Sequence, residues 1–216
     1  MTILLRLVFI LTTTLTLPIL IIRAQPRHDT ALADFLVPGM DCLPPCFLGI
    51  RPGMTTVDEA LVILRSHEWV NEARLQANGQ GYGQIRWDWS GLQTDLIDDS
   101  FEGRITFYWE EDDPVYDSPG KVRVESLLLH THIRMYEAQA WFGAPDSGTA
   151  DFVRYDDNLL QYSAAYHQPA ASVRLSAIVP CPATWMSYWN ARVDMMLTIG
   201  HGSSQYLEPP ELLGMC

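Results

Sequence analysis

Gln84-Ile85-Arg86-Trp87-Asp88-Trp89 is the stretch that sets the fold. Large apolar side chains at 85, 87 and 89 alternate with polar ones at 84, 86 and 88. Successive side chains on a strand point to opposite faces, so this segment has one dry face and one wet face. A sheet wetted on one side is characteristically antiparallel. The same alternation recurs in Phe101, Ile105, Phe107 and Trp109, set against Glu102, Arg104, Thr106 and Tyr108. It recurs again in Leu160, Tyr162, Ala164 and Tyr166, in Val173, Leu175, Ala177 and Val179, and in Val193, Met195, Leu197 and Ile199. Val122 to Leu129 reads as a further strand, and its run Leu127-Leu128-Leu129 predicts burial on both faces.

Two segments change period. Thr56 and Glu59 form a capping box ahead of Val57, Ala60, Leu61 and Leu64, so a helix is predicted from Thr56 to about Ser66, with Asp58 favourable at its positive end. Thr131 to Phe142 reads as a second helix with Ile133, Tyr136, Ala140 and Trp141 inward, stopped by Gly143-Ala144-Pro145-Asp146. The order helix, three strands, helix, three strands predicts an α+β fold: an antiparallel sheet from two helix-led repeats, residues 49–130 and 131–216, with the helices packed on one face.

Ahead of the repeats, Arg6 precedes an apolar run from Leu7 to Ile22, and Ala24 is followed by Gln25 and Pro26. That order is a secretory signal over residues 1–24, cleaved after Ala24. The rival reading is an uncleaved anchor, since Leu4 to Ile22 approaches the roughly 20 residues of a spanning helix. Residues 25–48 form a leader that contains Cys42 and Cys46. With Cys181 and Cys216 the cysteine count is even, which in an extracytoplasmic protein favours disulfides. Of the three pairings, Cys42–Cys46 would pin a turn and Cys181–Cys216 would staple the tail.

The net charge is −12 and Lys121 is the single lysine. Such a surface repels phosphate backbones and anionic lipid, so no nucleic acid and no membrane beyond the N-terminal segment is expected as a partner. The chemistry-bearing residues form no motif. His130 and His132 would share one side of a strand and want a third metal ligand. Asp98-Asp99 and Glu110-Glu111-Asp112-Asp113 lack the ordered spacing of a calcium loop. Glu68, Glu102 and Glu110 are candidates for a glycosidase carboxylate pair only in the sense that any acidic chain supplies them. Ser90-Gly91 and Gly200-His201-Gly202-Ser203 are not nucleophile elbows, and Gly79-Gln80-Gly81-Tyr82-Gly83 leads into a strand rather than a helix, as a hairpin would. No metal, cofactor or catalytic residue is assigned. Aromatic residues are the functional lead: Trp87, Trp89, Trp109 and Tyr108 lie on strands, where they would either fill the core or meet a partner.

Gly53-Met54-Thr55 before a short helix, and Trp141-Phe142-Gly143-Ala144-Pro145-Asp146 after one, resemble the repeats of the β-lactamase inhibitor proteins and the small lipoproteins of outer-membrane barrel assembly. In the inhibitors two such repeats form one curved antiparallel sheet, with helices on its convex side. The opening from Cys42 to Thr56, C-x-x-P-C-x-x-G-I-x-P-G-x-T-T, also resembles a group of uncharacterised exported bacterial proteins. The second resemblance carries no known function, and the expectation for the whole chain is an exported, non-enzymatic domain, secreted or of the cell envelope, that binds another protein. The alternatives are a carbohydrate-binding module using exposed aromatics, and a hydrolase whose site assembles only in space.

Overall fold

The computed structural model describes residues 46–78, 81–109, 122–153, 156–167 and 171–199, together with Arg6, Thr12, Thr16 and Phe35. The rest of residues 1–45, which include the segment read as a signal and Cys42, the acidic stretch 110–121 and Cys216 therefore lie outside the described residues. Among those described, no helix is long and apolar enough to cross a membrane.

The chain runs α1 (Val57–Ser66), β1 (Val70–Asn78), β2 (Tyr82–Trp89), β3 (Gly103–Tyr108), β4 (Ser126–Arg134), α2 (Met135–Phe142), β5 (Ser147–Val153), β6 (Asp156–His167), β7 (Ser172–Pro180), α3 (Trp185–Asn190) and β8 (Arg192–Thr198). The strands form one sheet in the order β1-β2-β3-β4-β8-β7-β6-β5, every neighbour antiparallel. Each half is a meander, and the last strand of one pairs with the last strand of the other at β4–β8.

The alternation read from the sequence places one residue in two on a buried face. Across the sheet Ile85 opposes Ile105, Ile105 opposes Leu127, Leu127 opposes Leu197, Leu197 opposes Val173, and Val173 opposes Tyr166. All of these are buried in one cluster with Val57, Ala60 and Leu64 of α1, Met135 and Ala138 of α2, and Tyr188 of α3. On β2 and β3 the packing is reciprocal: Trp87 lies over Gly103 and Phe107 lies over Gly83, so that a Cβ on either glycine would overlap the facing ring. Helix α1 begins as expected, with the Thr56 hydroxyl accepting from the Glu59 amide (3.3 Å) and the Glu59 carboxylate accepting from the Thr56 amide (2.9 Å).

Several expectations change. Thr131 to Arg134 is strand, not helix: the Thr131 hydroxyl donates to the Val193 carbonyl (2.5 Å), and Thr131 and Ile133 are buried while His132 and Arg134 are exposed. Helix α2 therefore starts at Met135 and turns Met135 and Ala138 inward, leaving Tyr136, Ala140 and Trp141 exposed. Gly143 ends it, as read, at φ 82° and ψ −153°. The strand expected from Val122 begins at Ser126. Residues 122–124 instead run beside the start of α1, where the Val57 amide donates to the Val122 carbonyl and the Val124 amide to the Thr55 carbonyl, each at 2.9 Å. Leu128 is only half-buried, so β4 is not covered on both faces. Phe101 and Ile199 fall outside their strands and are exposed. Each half has four strands rather than three, since β1 and β5 join the edges.

Candidate interaction surface

With the helices on one face, the other face carries no helix among the described residues and is half-exposed from β2 to β8, although Ser147, Ala165 and Ser172 towards the β5 edge are buried. The register aligns its side chains into rows. One row runs Arg74, Arg86, Arg104, Leu128, Met196, Arg174 from β1 to β7. A second runs Gln84, Thr106, Ser126, Thr198, Ser172. A third runs His130, Asp194, Ser176, Ser163.

The hydroxyl rows largely satisfy themselves: Thr106 and Ser126 are 2.5 Å apart, Ser163 and Ser176 3.1 Å. Three arginines directly opposite one another would repel. The outer two are neutralised, as Arg74 reaches Asp88 (2.7 Å) and Glu102 (2.9 Å), and Arg86 lies 3.8 Å from Glu102. These pairs are well exposed and worth at most about 1 kcal/mol each. Arg104 and Arg174 differ. Both are half-buried, and neither makes a hydrogen bond or ion pair among the described residues.

At the other end of this face the two histidines do lie on one side of β4, but each turns to its own carboxylate. His130 Nδ1 is 2.9 Å from Asp194 Oδ1 and its ring packs on Phe101, centroids 4.6 Å apart. His132 Nδ1 is 3.7 Å from Asp98 Oδ2, which also lies 3.5 Å from Arg192. Burial pushes the Asp194 carboxyl up, against the pull of His130. Burial also opposes ionisation of Asp98, but hydrogen bonds from Ser100 and the charges of His132 and Arg192 outweigh it and hold that carboxyl below its usual range. No group of three side chains placed to hold a metal ion occurs among the described residues.

The remaining candidates disperse. Glu102 is committed to arginines, the Ser90 hydroxyl donates to the Glu68 carbonyl (2.6 Å), and Asp99 accepts from Gln93 (3.1 Å). Glu110 to Asp113 and residues 200–203 lie outside the described residues. Of the glycine-rich stretch, Gly81 at φ 74° precedes β2, and Tyr82 and Gly83 pair with Asn78 and Ala77 of β1; residues 79–80 lie outside the described residues.

The aromatic lead divides by face. Trp87 is fully buried and has no surface to offer a partner. Trp89 and Trp109 pack partly buried against the same core, the Trp89 Nε1 donating to the Phe101 carbonyl (2.9 Å). Only Tyr108 of the four is on the open side, exposed and 5.1 Å from Tyr82. The residues that do line the open face, Arg104, Leu128, Arg174 and Met196, were not singled out from the sequence. Their signal is the polar half of each alternation, and it becomes a surface only when the register places the strands side by side.

Cys46 and Cys181 are each disulfide-bonded, while the expected partners Cys42 and Cys216 lie outside the described residues. The chain matches no model of a known protein family, no curated protein and no solved structure.

Proposed function

We propose that this is an exported, non-enzymatic domain that binds another protein through the open face of its sheet. The observation that carries the reading is the centre of that face, on which no described helix packs: half-exposed from β2 to β8, and mixed in polar and apolar side chains. Interfaces draw on such a mixture of apolar centre and polar surround. The carbohydrate alternative would need a flat row of exposed rings, and three of the four aromatics named for it face the helices. Two helix-and-meander halves meeting at β4–β8 also support a tandem duplication as the origin of the sheet.

The test is a photo-crosslinking amino acid placed singly at Thr106 and Ser176 on the open face, and at Val62 on the exposed side of α1, in the full chain in its native host. Intermolecular adducts are expected from 106 and 176 and not from 62. Adducts from 62 alone, or from none of the three, overturn the reading. The proposed compartment is extracytoplasmic, and the proposed bridges are Cys42–Cys46 and Cys181–Cys216, which non-reducing peptide mapping will distinguish from the crossed pairings.

A further inference from the structure

We infer that the partner presents two carboxylates on either side of an apolar contact, read by Arg104 and Arg174 across Leu128 and Met196. The inference rests on the open-face reading and names the chemistry that face would take. Arg104, Leu128, Met196 and Arg174 are successive lateral neighbours on β3, β4, β8 and β7. Three strand spacings separate the two arginines, about 14 Å. Between them sit the two apolar residues, half-buried and side by side at the seam of the sheet.

The charge pattern selects the partner. The chain carries −12 overall, so its general field repels anions. Yet its centre keeps two guanidiniums that no acid of its own neutralises among the described residues, although Glu102 and Asp88 do this for Arg74 and Arg86 nearby. A half-buried arginine without a partner has lost part of its hydration with no ion pair in return, and a docking carboxylate supplies that pair in its planar, bidentate form. Leu128 and Met196 supply the dry centre that strengthens such pairs and excludes water. A nucleic acid or an anionic membrane would meet the acidic remainder of the surface, whereas a protein with two discrete acids meets only the arginines.

The probes are two helical peptides, alike except for Glu or Gln at two positions eleven residues apart, with leucines four and seven residues after the first. Those positions share one helix face and stand roughly 16 Å apart, within reach of two flexible arginines. Titrated onto the full chain at low salt, the Glu peptide is expected to bind about tenfold tighter than its Gln twin. The advantage should fall below about twofold in Arg104→Gln/Arg174→Gln and largely return in Arg104→Lys/Arg174→Lys, with unchanged circular dichroism throughout. Equal binding of the twins, binding of neither, or a Glu advantage that survives in the double Gln variant overturns the inference. If that happens while intermolecular adducts at 106 and 176 persist, the open-face reading stands without its arginines. If the adducts are lost as well, both fall. Adducts found only within the chain show that its own segment occupies the face, and overturn the inference too.

Discussion

Gly103 and Gly143 show that a glycine can be required for two unrelated reasons. Gly103 has no positive φ, but Trp87 fills the space above it. Gly103→Ala therefore overpacks a closed core and is expected to cost about 2–3 kcal/mol in urea unfolding; a loss within experimental error would mean that the indole can move aside. The Nε1 of that ring is also buried without a hydrogen-bond partner among the described residues. Asp98 and Asp194 give the residue scale its pH dependence, with opposite signs. The lowered Asp98 value means that its stabilisation is complete above the ordinary carboxylate range and is lost as pH falls through the folded-state value. The raised Asp194 value means the reverse: its charge disfavours the fold at higher pH, and protonation relieves it. The stability gap between wild type and Asp98→Asn should thus shrink on going from about pH 7 to about pH 3, followed by urea melts. A constant gap would show that the carboxylate charge is not what Ser100, His132 and Arg192 hold.

At the scale of elements, helix ends were more legible than helix faces. Thr56 and Glu59 announce α1 because a capping box is local chemistry, independent of what the helix packs on. Thr131 to Arg134 misleads because Ile133, Tyr136, Ala140 and Trp141 fit a helical period, while the hydrogen bond from Thr131 to Val193 and the pairing of Arg134 with Arg192 keep the chain extended. Those partners are remote in sequence, so no local window contains them. Strands β1 and β5 were missed for a related reason. Edge strands face fewer neighbours, and β1 buries only Ala73 fully, too small to mark an apolar face. Helix α3 carries a Thr184 cap on Ser187, a weaker signature than Glu in that place. The stop of α2 tests the backbone alone. Gly143 lies in a region of φ and ψ essentially reserved for glycine, and a Cβ there meets nothing within 4 Å. Gly143→Ala should therefore cost about 1–3 kcal/mol through backbone strain, with the spectroscopic signature of the folded state retained; a neutral change would show that the turn can relax.

For the whole molecule, the sequence predicts alternation and therefore an antiparallel, one-sided sheet. It does not predict how the two halves join, because six strand segments are compatible with many lateral orders. The candidate surface was illegible for the same reason, since Arg104 and Arg174 become a pair only through β4 and β8. The core runs through that joint without a break, from Ile105 through Leu127 and Leu197 to Val173. Scanning calorimetry of the full chain should show a single transition whose van't Hoff and calorimetric enthalpies agree; two resolved transitions would show the halves to be separate domains.

The lateral order also fixes the route by which the sheet can form. Pairings β1–β2, β2–β3, β3–β4, β5–β6 and β6–β7 all join strands consecutive in the chain, and only β4–β8 and β7–β8 need a longer reach, β7–β8 merely past α3. Contacts between near neighbours cost little loop entropy and close early, whereas β4 must wait for β5 to β7 and α3 before Leu127 meets Leu197. The seam is thus the one long-range step of an otherwise local topology, and the face it completes, with Leu128 and Met196 at its middle, cannot exist before the chain has closed across it.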